Sequence, residues 1–115
     1  MVVNRPAIII YVQEPDEDLL REVCAGIEEE GVLFQVQNHE GDLDTLAYDA
    51  ANESMLGAGI GMTGARLAMQ MQRLPRGKNV FELIAPAFWQ CRNLGANSAR
   101  AIKKMPFKSI YESKN

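Results

Sequence analysis

Residues Ala7-Ile8-Ile9-Ile10-Tyr11-Val12 form a β-branched, apolar run with no polar residue at alternate positions. A strand with one solvated face alternates, whereas a run like this one is covered on both faces, as in a mostly parallel sheet between helical layers. That one segment predicts a three-layer α/β/α domain, and the rest of the chain is read for elements that complete it. Asp16 reads as an N-cap, and Leu19, Leu20, Val23, Cys24 and Ile27 then recur at helical spacing until Gly31 ends the helix. Residues 33–37 alternate as a second strand, with Phe34 and Val36 on one face. Leu43, Leu46, Ala47 and Ala50 mark a shorter helix ending near Ser54, and residues 56–62 read as a glycine-rich third strand.

Leu67, Met71 and Leu74 give the stripe of a third helix that must stop at Pro75, and residues 79–85 a fourth strand. Phe88, Cys91, Gly95, Ala99 and Ile102 follow at steps of three or four, predicting a long last helix over 86–104 with Pro86 at its first position. Gly95 in its middle points to a close backbone approach. The predicted order is β-α-β-α-β-α-β-α, an α/β fold with a mostly parallel sheet of four to five strands and helices on both faces.

At 115 residues, 47% apolar and 23% charged, the chain is predicted to be one globular domain, with 1–6 and 111–115 as flexible ends. Residues 108–115 are expected to fray or to add a short edge segment. Its 12 basic against 15 acidic side chains, net −3, argue against nucleic-acid binding through counterion release. Cys24 and Cys91 share no metal-ligand spacing and read as reduced core thiols. No apolar run is long enough to span a membrane, and none has the form of a secretory signal, so a cytoplasmic protein is expected. His39, the one histidine, reads as a loop residue after the second strand.

Gly59-Ile60-Gly61-Met62-Thr63-Gly64 spells GxGxxG, but it overlaps the third strand rather than the first strand-to-helix turn where a dinucleotide fingerprint belongs. The glycines are read instead as permitting a tight strand-to-helix turn. Glu82 falls near the place of a ribose-binding acid, but inside a predicted strand. There is no phosphate loop ending in Gly-Lys-Ser/Thr, no nucleophile paired with the histidine, and no aspartate at the end of the third strand for a phosphoacceptor.

Glu28-Glu29-Glu30 occupy the last turn of the first helix, just before Gly31. Carboxylates there face the negative end of the helix dipole and repel one another, each contact costing roughly 0.3–1 kcal/mol. The apolar stripe centres between Val23 and Ile27, so Glu29 is predicted to point away from it, free to reach a cationic partner, with Glu28 and Glu30 nearer its borders.

Three blocks in order resemble the small subunit of the diol and glycerol dehydratase reactivating factors. They are Gly26-Ile27-Glu28-Glu29-Glu30-Gly31-Val32 with Phe34, the Gly59-Ile60 strand, and Asn93-Leu94-Gly95-Ala96-Asn97-Ser98-Ala99-Arg100 running on to Lys104-Met105-Pro106-Phe107. The resemblance implies a fold like the core of the dehydratase medium subunit. It also implies a non-catalytic, chaperone-like role in releasing damaged cobalamin from adenosylcobalamin-dependent dehydratases by subunit exchange. The implied partner is a large ATPase subunit that holds ATP or ADP, in a heterotetramer of two large and two small subunits. Glu29 then completes the coordination of a Mg2+ held mainly by that partner, with Glu28 to Glu30 at the interface, in the cytoplasm and within or outside a bacterial microcompartment. Two alternatives stand beside this reading: a subunit of the dehydratase itself, which is a longer chain, and a small nucleotide-binding α/β protein using the glycine stretch.

Overall fold

The computed structural model describes residues 5–111. The elements are β1 (Ile8–Pro15), α1 (Glu17–Glu29), β2 (Phe34–Asn38), α2 (Leu43–Glu53), β3 (Ala58–Gly64), β4 (Arg66–Met71), β5 (Phe81–Ile84) and α3 (Phe88–Lys103). They build a five-stranded sheet in the order β2-β1-β3-β4-β5. β1 pairs in parallel with β2 on one side and β3 on the other, while β3, β4 and β5 follow as antiparallel neighbours. Right-handed crossovers in opposite directions along the sheet put α1 and α2 on opposite faces. Ile8, Ile10 and Val12 accordingly pack with Val23 and Ile27 of α1 and Leu94 of α3, and Ile9 and Tyr11 pack with Leu46 and Ala50 of α2. The run that opens the chain is thus the middle layer, with Ile8, Ile9 and Ile10 fully buried.

The structure corrects the expected third helix, which is strand β4. Thr63 pairs with Arg66 across a two-residue connection in which Gly64 takes φ 55°, the positive value that favoured hairpin turns place there. Leu67, Ala68, Met69 and Gln70 are all buried. A strand covered on both faces loses its alternation, and the residues at 67, 71 and 74 then mimic a helical stripe. Leu67 and Met69 face α1 and α3, while Ala68 packs with Leu43 and Ala47 of α2. The sheet is therefore mixed, and the order is β-α-β-α-β-β-β-α.

Glycines set the spacing of the layers. A Cβ on Gly59 would lie 2.3 Å from the Ala51 nitrogen and one on Gly61 2.5 Å from the Ala47 nitrogen, so both exist to let α2 lie against β3. The GxGxxG stretch is a strand and a hairpin turn, not the strand-to-helix turn anticipated. On the other face a Cβ on Gly26 would meet the Arg92 carbonyl oxygen at 2.0 Å, and one on Gly95 the Val23 carbonyl oxygen at 2.0 Å. The two helices cross at these glycines, which is the close approach that Gly95 signalled.

The start of the tail, expected to fray or to add a short edge segment, is docked. Asn97, fully buried, donates to the Lys108 carbonyl (3.0 Å) and accepts from its N–H (2.7 Å), and Ile110 is buried. The Tyr111 hydroxyl accepts the Glu82 N–H (3.2 Å) at the edge of β5. Of the two ends, residues 1–4 and 112–115 lie outside the described residues.

Alanine at Gly26 or Gly95 gains about 1 kcal/mol of helix propensity but must push two backbones apart. Each substitution is expected to lower unfolding free energy by a net amount on the order of 2–3 kcal/mol in urea titrations. Gly31→Ala, where a Cβ meets nothing within 4 Å but φ is +75°, is expected to cost about 1 kcal/mol. Equal losses at all three would contradict the crossing argument.

Candidate functional site

α1 begins well and ends badly for a helix dipole. The Asp16 carboxylate accepts the Asp18 and Leu19 N–H groups (3.1 Å each), and Glu17 and Asp18 occupy the first turn. Its last turn holds no basic residue. The end is closed by a Schellman arrangement, in which Gly31 N–H reaches the Glu28 carbonyl (2.9 Å) and Val32 N–H the Ile27 carbonyl (3.5 Å).

Cations from α3 answer the acids. Glu30, its side chain only 10% exposed, accepts from Arg100 Nε (3.0 Å) and Lys103 Nζ (3.1 Å), and Lys103 also donates to the Glu30 carbonyl (2.8 Å). Burial alone would raise the Glu30 carboxyl, but the hydrogen bonds and charges of Arg100 and Lys103 outweigh it and hold the group below its ordinary value. Arg92 reaches Glu22 through Nε and Nη2 (2.9 Å each) and Glu29 through Nη1 (2.8 Å). Its guanidinium is held further above its ordinary range, chiefly by the hydrogen bond to Glu22.

These contacts correct the aim of Glu29. Its side chain is 53% exposed, yet it lies on the flank of α1 that meets α3 and is paired within the chain. The apolar stripe accounts for the sheet face of α1 only. A second buried face runs through Gly26, against Arg92 and Ala96, and hydropathy gives glycine no weight there. Glu22 and Glu29 flank Gly26 at helical spacing, one turn to either side. Of the three glutamates, Glu28 is exposed, Glu29 is half exposed and Glu30 is engaged.

The described residues contain no group of three or more Asp, Glu, His or Cys able to hold a metal ion by themselves. Glu29 presents one half-exposed carboxylate, which alone does not enclose a metal ion. No helix follows the glycine stretch, so no helix N-terminus stands there to receive a phosphate. Glu82 is engaged by Asn79 Nδ2 (2.8 Å). Both cysteines are free thiols, pushed up by burial to about 11 for Cys24, half buried and near Glu28, and about 12 for buried Cys91. No helix among the described residues is long and apolar enough to cross a membrane.

One cluster escaped the sequence reasoning. His39 follows β2, but its ring stacks on Tyr11 (centroids 4.1 Å apart, planes within 9°) and its Nε2 pairs with Asp49 (2.9 Å). The Tyr11 hydroxyl donates to Glu53, and burial followed by that carboxylate raises its pKa. Beside it, an open cavity of about 530 Å³ is lined by Val12, Gln13, Glu14, Asn38, His39 and Glu40. It lies at the carboxyl ends of β1 and β2, where α/β sheets commonly bind ligands, and that strand-end position was the available signal. The ring stack and ion pair tie β1, β2 and α2 together.

A five-stranded mixed sheet with α1 and α3 crossing on one face and α2 on the other defines a class that comparison makes specific. The chain belongs to the dehydratase medium-subunit family, whose model matches residues 5–108. Within it, the chain is 38% identical over 110 residues to the propanediol dehydratase-reactivating factor small subunit of Salmonella typhimurium, covering 94% of this chain and 95% of that protein. It is likewise 38% identical over 109 residues to the diol dehydratase-reactivating factor small subunit of Klebsiella michiganensis, with 93% and 87% covered. A solved diol dehydratase-reactivating factor complexed with ADP and Mg2+ superposes with a TM-score of 0.86 at 37% identity, over 92% of this chain and all (100%) of that one. A glycerol dehydratase reactivase matches with a TM-score of 0.86 at 27% identity, over 91% and 98%.

The Glu30 cluster gives a pH prediction. A carboxyl lowered by folding contributes stability fully above its unfolded value near 4.5 and loses it as pH falls through the lower folded value. Glu30→Gln is expected to cost roughly 1–2 kcal/mol at pH 7, with the gap to the parent chain closing at acid pH in denaturant titrations. A gap that persists unchanged at pH 2.5 would remove the ion pairs as its cause.

Proposed function

We propose that this chain is the non-catalytic small subunit of an ATP-dependent reactivating factor for adenosylcobalamin-dependent diol or glycerol dehydratase. The observation that carries this is the match over nearly the whole chain to a reactivating factor complexed with ADP and Mg2+, alongside the two curated small subunits. The partner is a large subunit that binds and hydrolyses ATP, two of each forming a heterotetramer. Membership of the medium-subunit family supplies the logic of exchange. A domain shaped like one module of the client can occupy the surface where that module docks, and vacate it when nucleotide changes the relative affinities. The large subunit then grips the dehydratase and the damaged cobalamin leaves. The setting is the cytoplasm, within a bacterial microcompartment where the client resides in one.

At the interface, Glu28 to Glu30 face the large subunit and Glu29 supplies one carboxylate to a Mg2+ held mainly by that partner. What supports this role is a half-exposed carboxylate at a helix C-terminus, where negative charge is disfavoured, met by one nitrogen of an arginine that gives its other two to Glu22. Within that interface Glu30 is not a free ligand, since Arg100 and Lys103 hold its carboxylate and Lys103 its carbonyl as well.

Co-expressed with the large subunit, the chain is expected to co-purify in ADP and Mg2+ and to dissociate when ATP replaces ADP. Glu29→Gln is expected to weaken the ADP complex by about tenfold or more in calorimetric titration while the isolated chain keeps its circular-dichroism spectrum. Failure to co-purify in ADP and Mg2+ would overturn the assignment, and equal affinities of the two versions would remove Glu29 from the metal.

A further inference from the structure

The charges around Glu29 are arranged unequally. Arg92 directs two nitrogens at Glu22, both at 2.9 Å, and one at Glu29, at 2.8 Å. The Glu22 side chain is 22% exposed against 53% for Glu29. The Arg92 backbone, moreover, is wedged over Gly26, so its guanidinium stays between the two acids whichever of them it holds. Breaking the contact to Glu29 therefore leaves Arg92 anchored on the more sheltered carboxylate, and the contact that breaks is the water-exposed one. Exposed ion pairs of this kind are weak, so little opposes their exchange.

We infer that Arg92 is the internal counter-ion of the detached chain, which holds Glu29 until a divalent cation at the partner interface takes the carboxylate over; this rests on the reading of Glu29 given above. A guanidinium and a hard divalent cation compete for the same carboxylate oxygens. The cation wins once its remaining oxygen ligands are supplied by another chain. The handover is confined to Glu29, because Glu30 is nearly buried and shared by Arg100 and Lys103. The arrangement lets a subunit that must leave its partner carry a metal-binding acid without exposing it unpaired, and assembly exchanges one weak contact for a strong one.

The test is calorimetric titration of the large subunit, loaded with ADP and Mg2+, against the parent chain and five variants, Glu29→Gln among them. Arg92→Met is expected to bind about two- to fivefold tighter, since no internal partner must be displaced. The gain is expected to vanish in the Glu29→Gln/Arg92→Met double variant, because the effect works through Glu29. Arg92→Lys, whose compact ammonium cannot span both acids, is expected to fall between parent and Arg92→Met, and serves alone if the methionine variant does not fold. Arg100→Met removes a charge of the same helix without touching Glu29, and no tightening is expected. Weaker or unchanged binding by folded Arg92 variants, while Glu29→Gln alone loses affinity, would overturn the handover and leave the metal reading standing. Parent-like binding by Glu29→Gln would overturn the metal reading and the handover with it.

Discussion

Two glycines, Gly26 and Gly95, let α1 and α3 cross so closely that each backbone touches the other, and the rest of the functional face depends on that contact. Side chains of ordinary size at these positions separate the helices and move every group on their outer flanks. With the crossing in place, Arg92 lies over Gly26 between Glu22 and Glu29, and Arg100 and Lys103 reach Glu30 beyond the end of α1. Two of the three acids that repel one another at the wrong end of a helix dipole, Glu29 and Glu30, are thereby met by three cations from a segment some 70 residues away in sequence, and Arg92 holds Glu22 as well. The backbone seam fixes the positions, and the electrostatics follow from it.

The same economy of side chains governs the opposite face. Gly59, Gly61 and Ala68 give α2 a shallow bed on β3 and β4, while Ile60, Met62, Leu67 and Met69 send their bulk to the other side. A glycine pattern that resembles a nucleotide fingerprint is in this chain a packing device. The strand-end cavity beside His39 and the ion-paired end of α1 lie on different parts of the molecule, and the second carries the chemistry proposed for assembly.

Much of the architecture was legible in order. The unalternating run at β1, the Asp16 cap, the Gly31 stop and the spacing of α3 each have a local physical cause, and each is found close to its expected place. β4 was not legible, because burial on both faces erases the period that separates strand from helix, and the hairpin at Gly64 competes with a helical reading of Leu67, Met71 and Leu74. The Glu run was visible as an electrostatic anomaly, but its relief was not. Hydropathy ignores glycine, so the second buried face of α1 was hidden, and the cations that answer the acids sit on another helix. Tertiary pairing of this kind has no local signature.

On the function proposed above, this chain and the medium subunit of a dehydratase compete for one surface on the large subunit. The most direct measurement is displacement. Fluorescently labelled chain is bound to the large subunit in ADP and Mg2+, and its release is followed by anisotropy as ATP and then damaged-cofactor dehydratase are added. Competition requires release on exchange of ADP for ATP, retention of the large subunit by the dehydratase, and recapture of the labelled chain when ADP returns. A ternary complex that holds this chain, the large subunit and the dehydratase together at saturating ATP would contradict it.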